Sequence, residues 1–192
     1  MINTKKNQLI KRLLTTLLCN AIPFIAIAEE EVDPRILESR KVIKEFAGKL
    51  QKELVQAMEE GGPANAIKVC NIEAPDIAAS LSEKYKWRIG RTSLKTRNRN
   101  NDPDDWELAV LIHFEERKNN GEDIKQLEFS EETKDGFRYM KAIPTKGLCL
   151  TCHGENIDKP LKRTISKLYP NDLATGFKAG SIRGAFTITQ NK

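Results

Sequence analysis

Apolar positions recur at helical spacing soon after the start of the chain. Asp33-Pro34 has the form of a cap followed by proline in the first helical turn. Ile36, Ile43, Phe46, Leu50, Leu54 and Ala57/Met58 then fall on one face, until Gly61-Gly62 stops the run. Pro63 opens a second predicted helix carrying Ile67 and Cys70, and Pro75-Asp76 restarts a third short piece that ends at Leu81. Lys86 to Leu94 is the first predicted strand, followed by a polar loop. Asp102-Pro103-Asp104-Asp105 places acids at a helix start, where the dipole favours them. Trp106, Ala109, Val110, His113 and Phe114 are expected on that helix's apolar face, with Asn120-Gly121 as its end. Leu127 to Phe129 and Phe137 to Ile143 are further strands, and Leu161, Ile165 and Leu168 mark a short helix. The last element alternates with period two: Ile182, Gly184, Phe186 and Ile188 face one way, and Arg183, Ala185, Thr187 and Thr189 the other. The pattern predicts an α+β fold, with N-terminal helices packed on an antiparallel sheet.

The first 28 residues follow a different pattern. Lys5, Lys6, Lys11 and Arg12 precede an apolar run from Leu13 to Ala28 that ends Ala26-Ile27-Ala28, and no acid occurs among them. A basic start, a short apolar stretch and a small-x-small site make a secretory signal peptide, with cleavage expected after Ala28. The run is too short for a spanning helix of about 20 residues, and Asn20 and Pro23 interrupt it. Domains are therefore expected as 1–28, signal, and 29–192, a single domain. The expected location is the periplasm, without stable membrane insertion after cleavage. Of 32 basic residues 28 remain after residue 28, against 27 acidic ones. The near-neutral balance argues against nucleic acid as a partner.

Three cysteines remain after Ala28: Cys70, Cys149 and Cys152. An odd number in an oxidising compartment is a poor disulfide framework. Cys149-Leu150-Thr151-Cys152-His153 has the C-x-x-C-H spacing of covalent haem attachment. Two thiols one helical turn apart share a face and can bond both vinyl groups of one haem, and the adjacent imidazole then serves as proximal iron ligand. The pair is also compatible with a zinc site completed by Cys70 and His113, or with a redox dithiol. His113 and His153 are the only histidines. The residues alone leave the sixth iron position open among Cys70, His113, Met58, Met140 and a vacant site.

Several segments occur together in one order: Ala66-Ile67-Lys68-Val69-Cys70 with Ala74-Pro75; Arg91-Thr92-Ser93 leading to Arg97-Asn98; Asp102-Pro103 with Trp106-Glu107; Cys149 to Gly154; and Gly180 to Phe186. Together they resemble the bacterial Tll-type single-haem c domain family over nearly all of residues 29–192. The chain departs from the family at Asn98-Arg99-Asn100-Asn101, where a proline is more usual. The resemblance implies a PAS-like fold and one covalent haem c with His153 and Cys70 as axial ligands. It also implies use as an extracytoplasmic sensory module. Arg88, Arg91, Arg97 and Arg99 crowd the polar segment, and guanidinium groups pair bidentately with carboxylates such as haem propionates. Arg91 and Arg97 are the candidates for that role. The expected function is redox or gas-ligand sensing through a His/Cys-ligated haem, with output through a separate partner. A periplasmic electron carrier is the alternative, and an enzyme is not expected.

Overall fold

The computed structural model describes residues 31–191. The expected signal segment and its cleavage site lie outside the described residues. Among those described, no helix is long and apolar enough to cross a membrane.

Helix α1 (Pro34–Tyr85) begins as its sequence dictates, with the Asp33 side chain accepting from the Arg35 N–H at 2.8 Å. It breaks once, at Gly61 (φ −157°, ψ 18°) and Gly62 (φ 67°, ψ −167°), and the positive φ of Gly62 is one that a residue with a Cβ rarely adopts. The two halves fold back along each other. Near the far end of the second half, Lys84 and Tyr85 both bond Glu45 of the first, each at 2.8 Å. The expected break at Pro75 does not occur. Proline removes one intrahelical hydrogen bond, but Ile77, Ala78, Leu81 and Tyr85 pack into a core with Val42, Ile43 and Phe46, and that packing carries the helix past it.

Four antiparallel strands follow: β1 (Arg88–Thr92), β2 (Glu128–Thr133), β3 (Gly136–Pro144) and β4 (Ile182–Gln190), in spatial order β1-β4-β3-β2. One face carries Ile89, Phe137, Tyr139, Phe186 and Ile188 against α1. The other carries Met140, Ala142, Ile182 and Ala185 against α2 (Asp105–Asn119), which contributes Val110, Leu111 and Phe114. The fold is α+β, as expected. Helix α2 starts with a reciprocal cap: Asp104 accepts from the Glu107 N–H at 2.8 Å, and Glu107 accepts from the Asp104 N–H at 3.2 Å.

Two candidate ligands are removed by these faces. His113 is 48% exposed on α2, edge-on to Phe129, because the buried stripe of this helix runs through Glu107, Val110, Leu111 and Phe114 instead. Ala109 is exposed for the same reason. Met140 is wholly buried on the α2 side of the sheet.

At the α1 side of β2, Glu128 accepts from Arg40 Nε (3.1 Å), Tyr139 Oη (2.6 Å) and Lys141 Nζ (3.2 Å). Burial alone would raise this carboxyl, but the three donors outweigh it and hold it down to about 2. A carboxyl depressed on folding contributes stability above its ordinary value near 4.5, and that contribution is lost as pH falls toward 2. Urea unfolding of wild type should therefore weaken over that window, and Glu128→Gln should flatten this part of the profile.

Candidate functional site

The C-x-x-C-H segment forms a 3₁₀ turn, Gly147–Cys149, running into the short helix α3 (Leu150–His153). Gly154 closes α3. A Cβ there would lie 2.5 Å from the Leu150 carbonyl, so no larger residue fits. The turn is then stitched to the segment before β4: the Phe177 N–H donates to His153 O (2.9 Å) and the Gly176 N–H to Gly154 O (3.0 Å). Helix α4 (Lys159–Leu168) packs Leu161 and Ile165 on Ile67 of α1, with Cys152 at the edge of that cluster.

Arg97 is the central fastener. It forms a buried ion pair with Asp172, Nη2 to Oδ2 at 3.1 Å, with side chains 7% and 9% exposed. Its Nη2 also donates to the carbonyls of Cys152 (2.6 Å) and Ala174 (3.2 Å). Asp172 in turn accepts from the Ala174 N–H at 2.8 Å. The Ala174 carbonyl lies 2.8 Å from His153 Nδ1. A carbonyl only accepts, so Nδ1 carries the proton and Nε2 keeps its lone pair. Burial and the positive charges of Arg183 and Arg97 hold His153 well below its ordinary 6.5, so the ring stays neutral.

His153 opens onto a cavity of about 330 Å³ between the folded-back halves of α1 and the sheet. That lies within the roughly 300–1,000 Å³ of small-molecule and cofactor sites. All six residues singled out from the sequence line it: Cys70, Arg91, Arg97, Cys149, Cys152 and His153. Met58 also contributes. His113 does not, so a zinc set of three cysteines with His113 is not assembled. Among the described residues, no cluster of three or more His, Cys, Asp or Glu side chains suits a metal ion. Cys70, Cys149 and Cys152 are free of disulfides. Burial raises the Cys70 thiol, partly offset by Arg91, and raises that of Cys152.

Arg183 is the residue that alternation placed wrongly. The pairing of β3 with β4 slips at Ile143/Pro144: Ile143 opposes Gly184 but Pro144 opposes Ile182, which leaves Arg183 as an extra residue. A bulge of this kind re-aims side chains. Ile182 joins Ala185 on the α2 side, and Arg183 turns into the cavity. Gly184 permits this, because at its φ of +154° a Cβ would sit 2.3 Å from Thr92 O. A lone glycine within a period-two strand is the sequence signal for such a bulge.

The profile of the Tll0287-like family matches residues 28–191. The chain belongs to the Tll0287-like family. Its fold is also similar to the solved structure of the cyanobacterial heme-protein Tll0287, with a TM-score of 0.65 at 24% identity over 83% of this chain and 97% of that one. No curated protein matches the chain. In this Tll0287-like domain the six residues singled out from the sequence line one cavity.

Breaking a buried ion pair by removing one partner typically costs about 3–5 kcal/mol. Asp172→Asn should lower stability by that order in urea unfolding. Gly184→Ala should cost about 1–3 kcal/mol through overpacking and strain.

Proposed function

We propose that this chain is an exported, single-haem c-type protein that senses redox state or a small gas ligand. The supporting observation is that one cavity gathers Cys149, Cys152, His153 and Cys70 from segments far apart in sequence. The cavity's chemistry fits the group. Two thiols stand one turn apart, and a neutral imidazole has its outer nitrogen free. Among the described residues no acidic side chain lines the walls, where three arginines do, and Arg97 Nη1 and Thr92 Oγ1 are buried without partners. In this reading Cys149 and Cys152 would hold the haem covalently, His153 and Cys70 would supply the iron's ligands, and Arg91 would face a propionate, whereas Arg97 is engaged by Asp172. The strand order β1-β4-β3-β2 is compatible with a PAS-like sheet.

A bound haem would supply a one-electron iron couple. The chain's residues then set its behaviour. A thiolate at Cys70 favours ferric iron and a low potential. Its buried surroundings favour the neutral thiol over a free thiolate. Cys70 lies in the half of α1 beyond Gly61-Gly62, so a change in what its sulfur binds would act on that half of the helix. The cavity offers no second histidine and no carboxylate as an acid–base group, which favours binding over catalysis. Electron transfer is the second reading, favoured by Leu148, 46% exposed beside Cys149, which brings the attachment turn near the surface.

The test is Cys70→Ser in protein co-expressed with haem-maturation machinery. The visible spectrum should change and the midpoint potential rise, whereas His113→Ala should alter neither. Unchanged spectrum and potential in Cys70→Ser would rule Cys70 out as a ligand. A wild-type potential well above zero would favour the carrier.

A further inference from the structure

Three guanidiniums line the cavity, from Arg91, Arg97 and Arg183, and among the described residues no acid does. Asp172 forms its ion pair with Arg97. The other two have no carboxylate within ion-pair distance among the described residues. Arg183 donates only to neutral acceptors, Ser93 Oγ at 3.3 Å and Lys95 O at 3.4 Å, and lies with its Cζ 5.2 Å from the centre of the Phe177 ring. Arg91 has its Cζ 5.8 Å from the centre of the Phe46 ring. Both are half-buried and line the cavity. A desolvated cation without a counter-charge is costly. One ion-paired carboxylate against three guanidiniums leaves two guanidiniums facing the cavity without an ion-pair partner among the described residues.

We propose that Arg183, swung inward by the β4 bulge, binds a carboxylate of the cofactor beside Arg91, so that the two guanidiniums serve the two propionates of a haem. This rests on the haem reading above. It adds a residue that period-two alternation assigns to the opposite face, and it gives the bulge and the obligatory Gly184 a purpose. It also divides the arginines by role: Arg97 fastens the attachment turn, and Arg91 and Arg183 meet the ligand. Burial lowers Arg183 to about 10 and also lowers Arg91, as expected of cations short of counter-charge. The other ionisable groups facing them are Cys70, Cys149, Asp172 and Tyr169, with His153 held neutral.

Haem-loaded wild type, Arg183→Gln, Arg183→Lys and Arg91→Gln are compared by redox titration against pH and by redox-difference infrared spectroscopy, which reports carboxyls that respond to the iron. Paired propionates should stay ionised in wild type near pH 4.3, where about half of an ordinary carboxyl is protonated, and no protonated carboxyl band should appear. Arg183→Gln should show that band, with a lower midpoint potential and a new pH-dependent step. Arg183→Lys should largely restore the wild-type profile, and Arg91→Gln should give a step of its own. Superimposable potential–pH curves for wild type and Arg183→Gln overturn the proposal. So does a protonated carboxyl band in wild type near pH 4.3, which decides the matter even if Arg183→Gln yields no holoprotein. A red wild type with either of these results defeats the role of Arg183 alone, whereas a colourless wild type defeats the haem reading and this proposal together.

Discussion

The buried pair of Arg97 and Asp172 is the constraint on which the site's geometry depends. Two charges taken out of water are stable together only when their remaining hydrogen-bonding capacity is also used. Here most of it is spent on one task. Arg97 holds the carbonyls of Cys152 and Ala174, Asp172 holds the Ala174 N–H, and the Ala174 carbonyl fixes the His153 ring. Three residues outside it, Arg97, Asp172 and Ala174, thus set the position of a four-residue helix that has no core of its own. They also select the tautomer that leaves Nε2 available.

The cavity exists because α1 turns back on itself. Gly61-Gly62 lets one helix supply two walls, with Phe46, Leu50 and Leu54 on the first half and Ala66, Ile67, Cys70 and Ala74 on the second. The sheet supplies the third wall through Arg91, Arg183 and Phe186. Small residues on the second half keep the volume open, and the larger apolar ones opposite give it a dry lining. A glycine break in α1 on one side and the fastened Cys149–His153 turn on the other frame the site.

Much of this was legible from residue pattern. The helical spacing from Ile36 to Met58, the acid-capped start of α2 and the period of β4 each correspond to an observed element. All six residues singled out for the site line one cavity. The exceptions have physical causes. Pro75 reads as a break, yet tertiary packing of the residues after it sustains the helix. His113 sits among apolar neighbours in sequence, but the buried stripe of α2 is set by which face meets β3 and β4, and periodicity over so short a span cannot fix that rotation. Arg97 looks like a ligand-facing cation, and only the fold brings Asp172 to it. Arg183 was hidden because one inserted residue inverts the alternation of a strand.

The central claim is that Cys149 and Cys152 carry a haem covalently, and intact mass spectrometry in denaturant measures this most directly. Protein co-expressed with haem-maturation machinery should gain the mass of one haem, retain it through denaturation, and leave Cys70 as the single alkylatable thiol after export. A protein at its bare polypeptide mass, with Cys70, Cys149 and Cys152 all alkylated, would contradict the account.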